Sequence, residues 1–129
     1  AGTPDISGAV GLGAAVGYLQ SLGLDAIAAH EHALLDYATT QLSDIRGLRI
    51  IGQAAHKASV LSFVIDGHKP GDIARHLDRH GIAARSGHHC AQPSLRRFGV
   101  EETVRASFGL YNTFSDVHSL FQALRQLPS

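Results

Sequence analysis

The chain has 129 residues, a length that fits one domain and buries roughly two-thirds of the surface its unfolded form exposes, so no staple is needed to hold it. Acidic and basic side chains balance at 11 each. That leaves no electrostatic footprint for a nucleic acid or an anionic membrane. A single cysteine excludes an internal disulfide and suits a reducing, cytoplasmic compartment.

In chain order, residues 6–22 read as a helix that is uncharged and rich in glycine. Interior glycines cost helix stability of up to about 1 kcal/mol each relative to alanine. Such a helix is expected to press a smooth face on a neighbour, within or outside this chain. The charge-free run from Ile6 to Leu24 has the length of a membrane span, but five glycines and several polar residues dilute it, so a core-facing helix is expected. Gly23 reads as its stop and Asp25 as the N-cap of the next helix, about 26–43, with Ile27, Leu34, Leu35, Ala38 and Leu42 on one stripe. Strands are expected at 48–51 and 59–66, then a helix over 72–79 ended by Gly81. A short strand at 82–85 leads into the segment around Cys90, and a further strand covers 103–108. Thr113-x-x-Asp116 resembles a capping box that opens a last helix carrying Val117, Leu120, Phe121, Leu124 and Leu127 on one face. The order predicts a single α+β domain over 1–129, two layers deep, with a short mixed or antiparallel sheet covered by helices.

The cysteine lies in Arg85-Ser86-Gly87-His88-His89-Cys90-Ala91-Gln92-Pro93. Gly87 and Pro93 bracket the segment as a loop. Two histidines and a glutamine are expensive to bury unpaired, so an accessible thiol is expected rather than the small buried hydrophobe a lone cysteine usually is. Thiols react as thiolates, and nearby cationic groups such as Arg85 and the two histidines raise that fraction. Adjacent His88, His89 and Cys90 fit zinc poorly, because zinc ligands come in spaced pairs.

Other polar residues divide between two readings. Arg105, between Val104 and Ala106 in a strand, either snorkels at an edge or clamps an anion, and the sequence does not choose. His76 and His80 share a helix face at i and i+4, in a run that reads as a solvated polar surface. The two lysines, Lys57 and Lys69, fall in expected surface turns.

Arg85-Ser-Gly-His-His-Cys90-Ala-Gln-Pro93, Val104-Arg-Ala-Ser-Phe108, Tyr111-Asn-Thr113 and the opening Ala1-Gly-Thr-Pro4 together resemble the SUF-type (group II) cysteine desulfurases and selenocysteine lyases. These are class V, pyridoxal 5′-phosphate enzymes of the aspartate-aminotransferase-like fold. The likeness covers only the C-terminal small domain of such an enzyme. It implies that Cys90 is the catalytic nucleophile that takes sulfur from cofactor-bound L-cysteine as a persulfide, releasing L-alanine. It implies that Arg105 and Arg85 bind the substrate, and that Gly2 and Thr3 reach the cofactor phosphate of the neighbouring subunit in a homodimer. The Schiff-base lysine belongs to the part of the family's fold not represented here, so this chain alone is expected to be inactive and to hold no cofactor. No metal is implied. Gly71 stands where family members that serve a zinc-containing scaffold tend to carry histidine, which favours a SufE-like acceptor in iron–sulfur cluster assembly. The alternatives are a stand-alone persulfide or redox carrier, or an interaction domain whose cysteine is idle.

Overall fold

The computed structural model describes residues 2–128; Ala1, in the opening motif, and Ser129 lie outside the described residues. The chain divides into two compact units, residues 1–30 and 31–129.

In the first unit, Asp5 caps helix α1 (Ile6–Leu22), its side chain accepting the Gly8 N–H at 2.9 Å. A Cβ at Gly8 would meet the Asp5 carboxylate, so a side chain there would push that cap aside. Gly23, at φ +88°, ends the helix by donating its N–H to the carbonyls of Leu19 and Gln20. Helix α2 (Leu24–Ser43) then starts at once. The Gly23 carbonyl accepts the Ile27 N–H, so Asp25 lies within the first turn and is not the N-cap expected from the sequence. There its negative charge suits the positive end of the helix.

The expected core-facing role of α1 does not hold among the described residues. None of its side chains is buried, and Val10 is 69% exposed. Its apolar residues are spread around the helix with no polar side to set a direction, and the first unit holds only α1 and the opening turns of α2. No single helix is long and apolar enough to cross a membrane among the described residues.

In the second unit, α2 continues and is followed by β1 (Leu48–Ile51), β2 (Val60–Ile65), α3 (Pro70–Arg79), β3 (Arg85–Gly87), α4 (Gln92–Arg97), β4 (Thr103–Ser107) and α5 (Phe114–Arg125). The fold is α+β, with one antiparallel sheet ordered β1-β2-β4-β3. Period-two alternation sorts its faces. Leu61, Phe63 and Ile65 of β2 and Val104 and Ala106 of β4 enter one core cluster. Leu34, Leu35, Ala38 and Leu42 of α2, Ile73 and Leu77 of α3, and Val117, Leu120 and Leu124 of α5 join it. Burying each such side chain stabilises the fold by ~1.5–3 kcal/mol before chain entropy is counted. The opposite face carries Ser62, Arg105 and Arg85 in one cross-strand row.

Three local expectations change. The strand expected at 82–85 lies at 85–87, because the Ile82 N–H donates to the Leu77 carbonyl and is committed to the exit of α3. The segment after Cys90 is helical, as α4: Pro93 falls within its first turn, where a missing N–H costs nothing, and buried Leu95 anchors it. His76 is not solvated. It is 7% exposed and its Nε2–H donates to the Ala123 carbonyl at 2.8 Å, tying α3 to α5.

Candidate functional site

β3 lies at the sheet edge with β4 as its neighbour, and the register sets Arg85 directly opposite Arg105 and Gly87 opposite Thr103. Like charges in opposed positions destabilise a strand pair. Arg105 is half-buried, and its Nε is buried with no partner among the described residues. Two cations side by side, one with an unanswered donor, fit an anion that can accept from a guanidinium, a carboxylate above all.

The chain leaves β3 at Gly87 (φ +125°) and bends at once. The Ala91 N–H donates to the His88 carbonyl at 2.8 Å, closing a turn whose two central residues, His89 (φ +54°) and Cys90 (φ +56°), both have positive φ. This is the primed pattern that glycine and asparagine usually fill. For residues with a full side chain it costs ~1–2 kcal/mol each. Cys90 stands at the tip of this turn, free and exposed.

Two imidazoles tie the turn down. The Cys90 N–H donates to Nδ1 of His88 at 3.0 Å. His89 turns inward, and its Nε2–H donates to the Thr103 carbonyl at 3.1 Å with the Thr103 hydroxyl at 3.0 Å. Burial is the main reason His89 titrates below the ordinary imidazole value; the Thr103 hydrogen bond opposes the shift, and the charges of Arg105, Arg85 and His88 add to it. This departs from the expectation that both histidines serve Cys90 as cations: burial and the neighbouring charges disfavour the protonated form of His89. Its Nδ1 is buried without a partner, as a bare lone pair facing cations tolerates far better than an N–H would. An open polar cleft of about 260 Å³ lies beside the turn, lined by His88, Gln92, Arg96, Glu101 and Glu102.

The structure thus brings Cys90, Arg85 and Arg105 onto one strand pair and its turn. Gly2 and Thr3 are exposed in the first unit, ahead of α1. Lys57 donates to the Gly52 carbonyl, and Lys69 occupies the N-cap position of α3. Neither lysine belongs to the Cys90 turn or to the arginine strands. Thr103 was not singled out in the sequence. Only its pairing opposite Gly87 shows its use, and no local signal marks it.

The chain that folds into this four-stranded antiparallel α+β unit matches a known family. The Aminotransferase class-V family model matches residues 1–120, and the chain belongs to that family. Within it the similarity is to cysteine desulfurases. The chain is 58% identical over 129 residues to a cysteine desulfurase of Synechococcus elongatus, matching 100% of this chain and 21% of that protein. The apo structure of a cysteine desulfurase from Thermococcus onnurineus superposes with a TM-score of 0.94 at 40% identity, over 98% of this chain and 32% of that one. The S-sulfonic acid form of the cysteine desulfurase CsdA from Escherichia coli gives 0.90 at 37% identity, over 96% and 31%. The chain therefore spans between a fifth and a third of the length of these relatives.

Proposed function

We propose that this chain is the sulfur-accepting, C-terminal part of a SUF-type cysteine desulfurase, with Cys90 as its nucleophile. The observation that carries the reading is the exposed thiol at the tip of a strained turn, one strand away from an arginine pair with an unsatisfied donor. Arg105, aided by Arg85, binds the carboxylate of L-cysteine, or of L-selenocysteine. The Cys90 thiolate attacks the substrate sulfur as its bond to carbon breaks. Overall, Cys90–SH and L-cysteine give Cys90–S–SH and L-alanine, so the outer sulfur is carried on the enzyme. Cys90 is exposed at the turn's tip, which serves both attack and later transfer to a partner thiol.

The cofactor and its Schiff-base lysine are assigned to the remainder of a longer protein, which the small share of its relatives' length supports. Gly2 and Thr3 reach the phosphate across a homodimer in this reading. The outgoing sulfur passes to a SufE-like acceptor for iron–sulfur cluster assembly in the cytoplasm, and the open polar cleft beside the turn leaves room for that partner to approach.

The test is alanine release from L-cysteine by the parent-length protein, together with the mass of the peptide that contains Cys90. The wild type is expected to release alanine and to carry one added sulfur on that peptide. Cys90→Ser is expected to lose both, whereas the 129-residue chain alone releases none. A Cys90→Ser protein that desulfurates cysteine at the wild-type rate would defeat the proposal.

A further inference from the structure

We propose that His88 and His89 are positioning residues for Cys90, acting as two imidazoles of opposite hydrogen-bonding role that together set where its sulfur stands. The backbone of the turn resists its own conformation, because neither central residue is a glycine. The Ala91 N–H bond to the His88 carbonyl closes the turn, and two side-chain contacts add to its hold. The first is local: Nδ1 of His88 accepts the N–H of the residue two positions on. This is the geometry in which a short asparagine or aspartate side chain accepts from residue i+2. The second reaches across to the sheet: Nε2 of His89 donates to the Thr103 carbonyl, an atom that can only accept. The Thr103 hydroxyl, on a fully buried side chain, shares that proton.

The two contacts fix two tautomers. His88 must keep a lone pair at Nδ1, so its neutral form carries the proton at Nε2. His89 must carry a proton at Nε2, and its partnerless, buried Nδ1 is bare. Arg85 and Arg105 act electrostatically on that ring and favour the bare nitrogen. The adjacent histidines are therefore not equivalent. One needs a short acceptor close to the backbone, the other a donor at the full reach of an imidazole. If either contact is lost, less opposes a relaxation of the turn to negative φ, which would carry Sγ to another side of the backbone without removing the thiol.

The roles predict a crossed pattern of rescue. Asn at 88 supplies an acceptor at the Nδ1 position, whereas Gln is too long. Gln at 89 places an amide N–H near Nε2, whereas Asn is too short. In the parent-length protein, the measured quantities are kcat and KM for alanine release. His88→Asn and His89→Gln are expected to stay within about threefold of wild type, whereas His88→Gln and His89→Asn lose about tenfold in kcat, the effect of one misplaced hydrogen bond, with KM little changed. A change in KM with kcat intact, or equal losses from both variants at one position, overturns the proposal. The activity arm rests on the desulfurase reading. The alkylation rate of Cys90 by iodoacetamide does not, and the same four proteins are expected to sort the same way. Nitrogen-15 spectra of the wild-type rings add a test that needs no variant: both are expected to show protonated Nε2 and bare Nδ1. An Nδ1–H tautomer at His89 contradicts the assignment, whatever the activity.

Discussion

Arg85 and Arg105 face each other across an antiparallel pair, and Arg85→Gln isolates the consequence. Glutamine keeps most of the stem and a polar head while removing the charge. As a general scale, two unit charges ~8 Å apart in an effective dielectric of about 40–80 repel by ~0.5–1 kcal/mol. Cross-strand side-chain pairs are worth ~0.2–1 kcal/mol when favourable, and like charges directly opposite are destabilising. Arg85→Gln should therefore stabilise the fold by about that amount in urea denaturation at low salt. Raising the salt to about 1 M shortens the screening length to about 3 Å, and the advantage should close. Acetate, offered as a small carboxylate, should stabilise the wild type more than the variant, because the repelling pair is what an anion relieves. If Arg85→Gln destabilises the chain, or stabilises it equally at both salt concentrations, the reading of this pair as an anion clamp held at a cost in stability is wrong.

Further expectations follow from other contacts. The Ala123 carbonyl that accepts from His76 also accepts the Gln126 N–H, so removing the imidazole does not orphan it. His76→Phe should cost only about 1 kcal/mol, while His76→Ala, which also opens a cavity between α3 and α5, should cost about 2–4 kcal/mol; equal urea midpoints for the two would exclude the packing contribution. The Thr113 and Asp116 side chains each bond the other's backbone N–H, and Thr113→Ala should lower stability by about 1 kcal/mol in thermal unfolding. His89 titrates below its ordinary value in the folded chain, so between the folded and unfolded values the unfolded state binds more protons. Its contribution is whole above about pH 6.5 and is lost as pH falls through the unfolded value toward the folded one; His89→Gln should flatten that limb of the stability curve. Asp116 also titrates low, chiefly because its carboxylate accepts the Thr113 N–H; its contribution is present above pH 3.8 and lost as pH falls below that, a second and more acid limb that Asp116→Asn should remove.

Much of the site was legible because its signals are local. The polar run around Cys90 cannot be buried cheaply, and the thiol is exposed. Thr113 and Asp116 are three residues apart and form the expected capping box. The stripe Leu34, Leu35, Ala38 and Leu42 is buried at helical spacing. Errors arose where a long-range partner outweighed local preference. Ile82 looked like the start of a strand, but its N–H is used by the end of α3, and pairing begins only where β4 runs alongside Arg85. Pro93 marks a boundary in either reading, and only the burial of Leu95 shows that a helix follows it. His76 sits in a highly charged run, yet α5 covers it.

What the sequence determined alone was the kind of chemistry available: a single thiol in a short polar turn, an arginine within a strand, and helices and strands of sufficient periodicity to build an α+β layer. Residue type and spacing up to about four positions carry that information, since they set turn, cap and face. The tertiary structure decided which residues meet. Register alone placed Arg85 against Arg105 and Thr103 within reach of His89, and one slipped residue would have turned each side chain to the other face of the sheet. The role of His89, unlike that of its neighbour His88, was decided there as well, because it depends on a partner in β4 that lies 14 residues further along the chain.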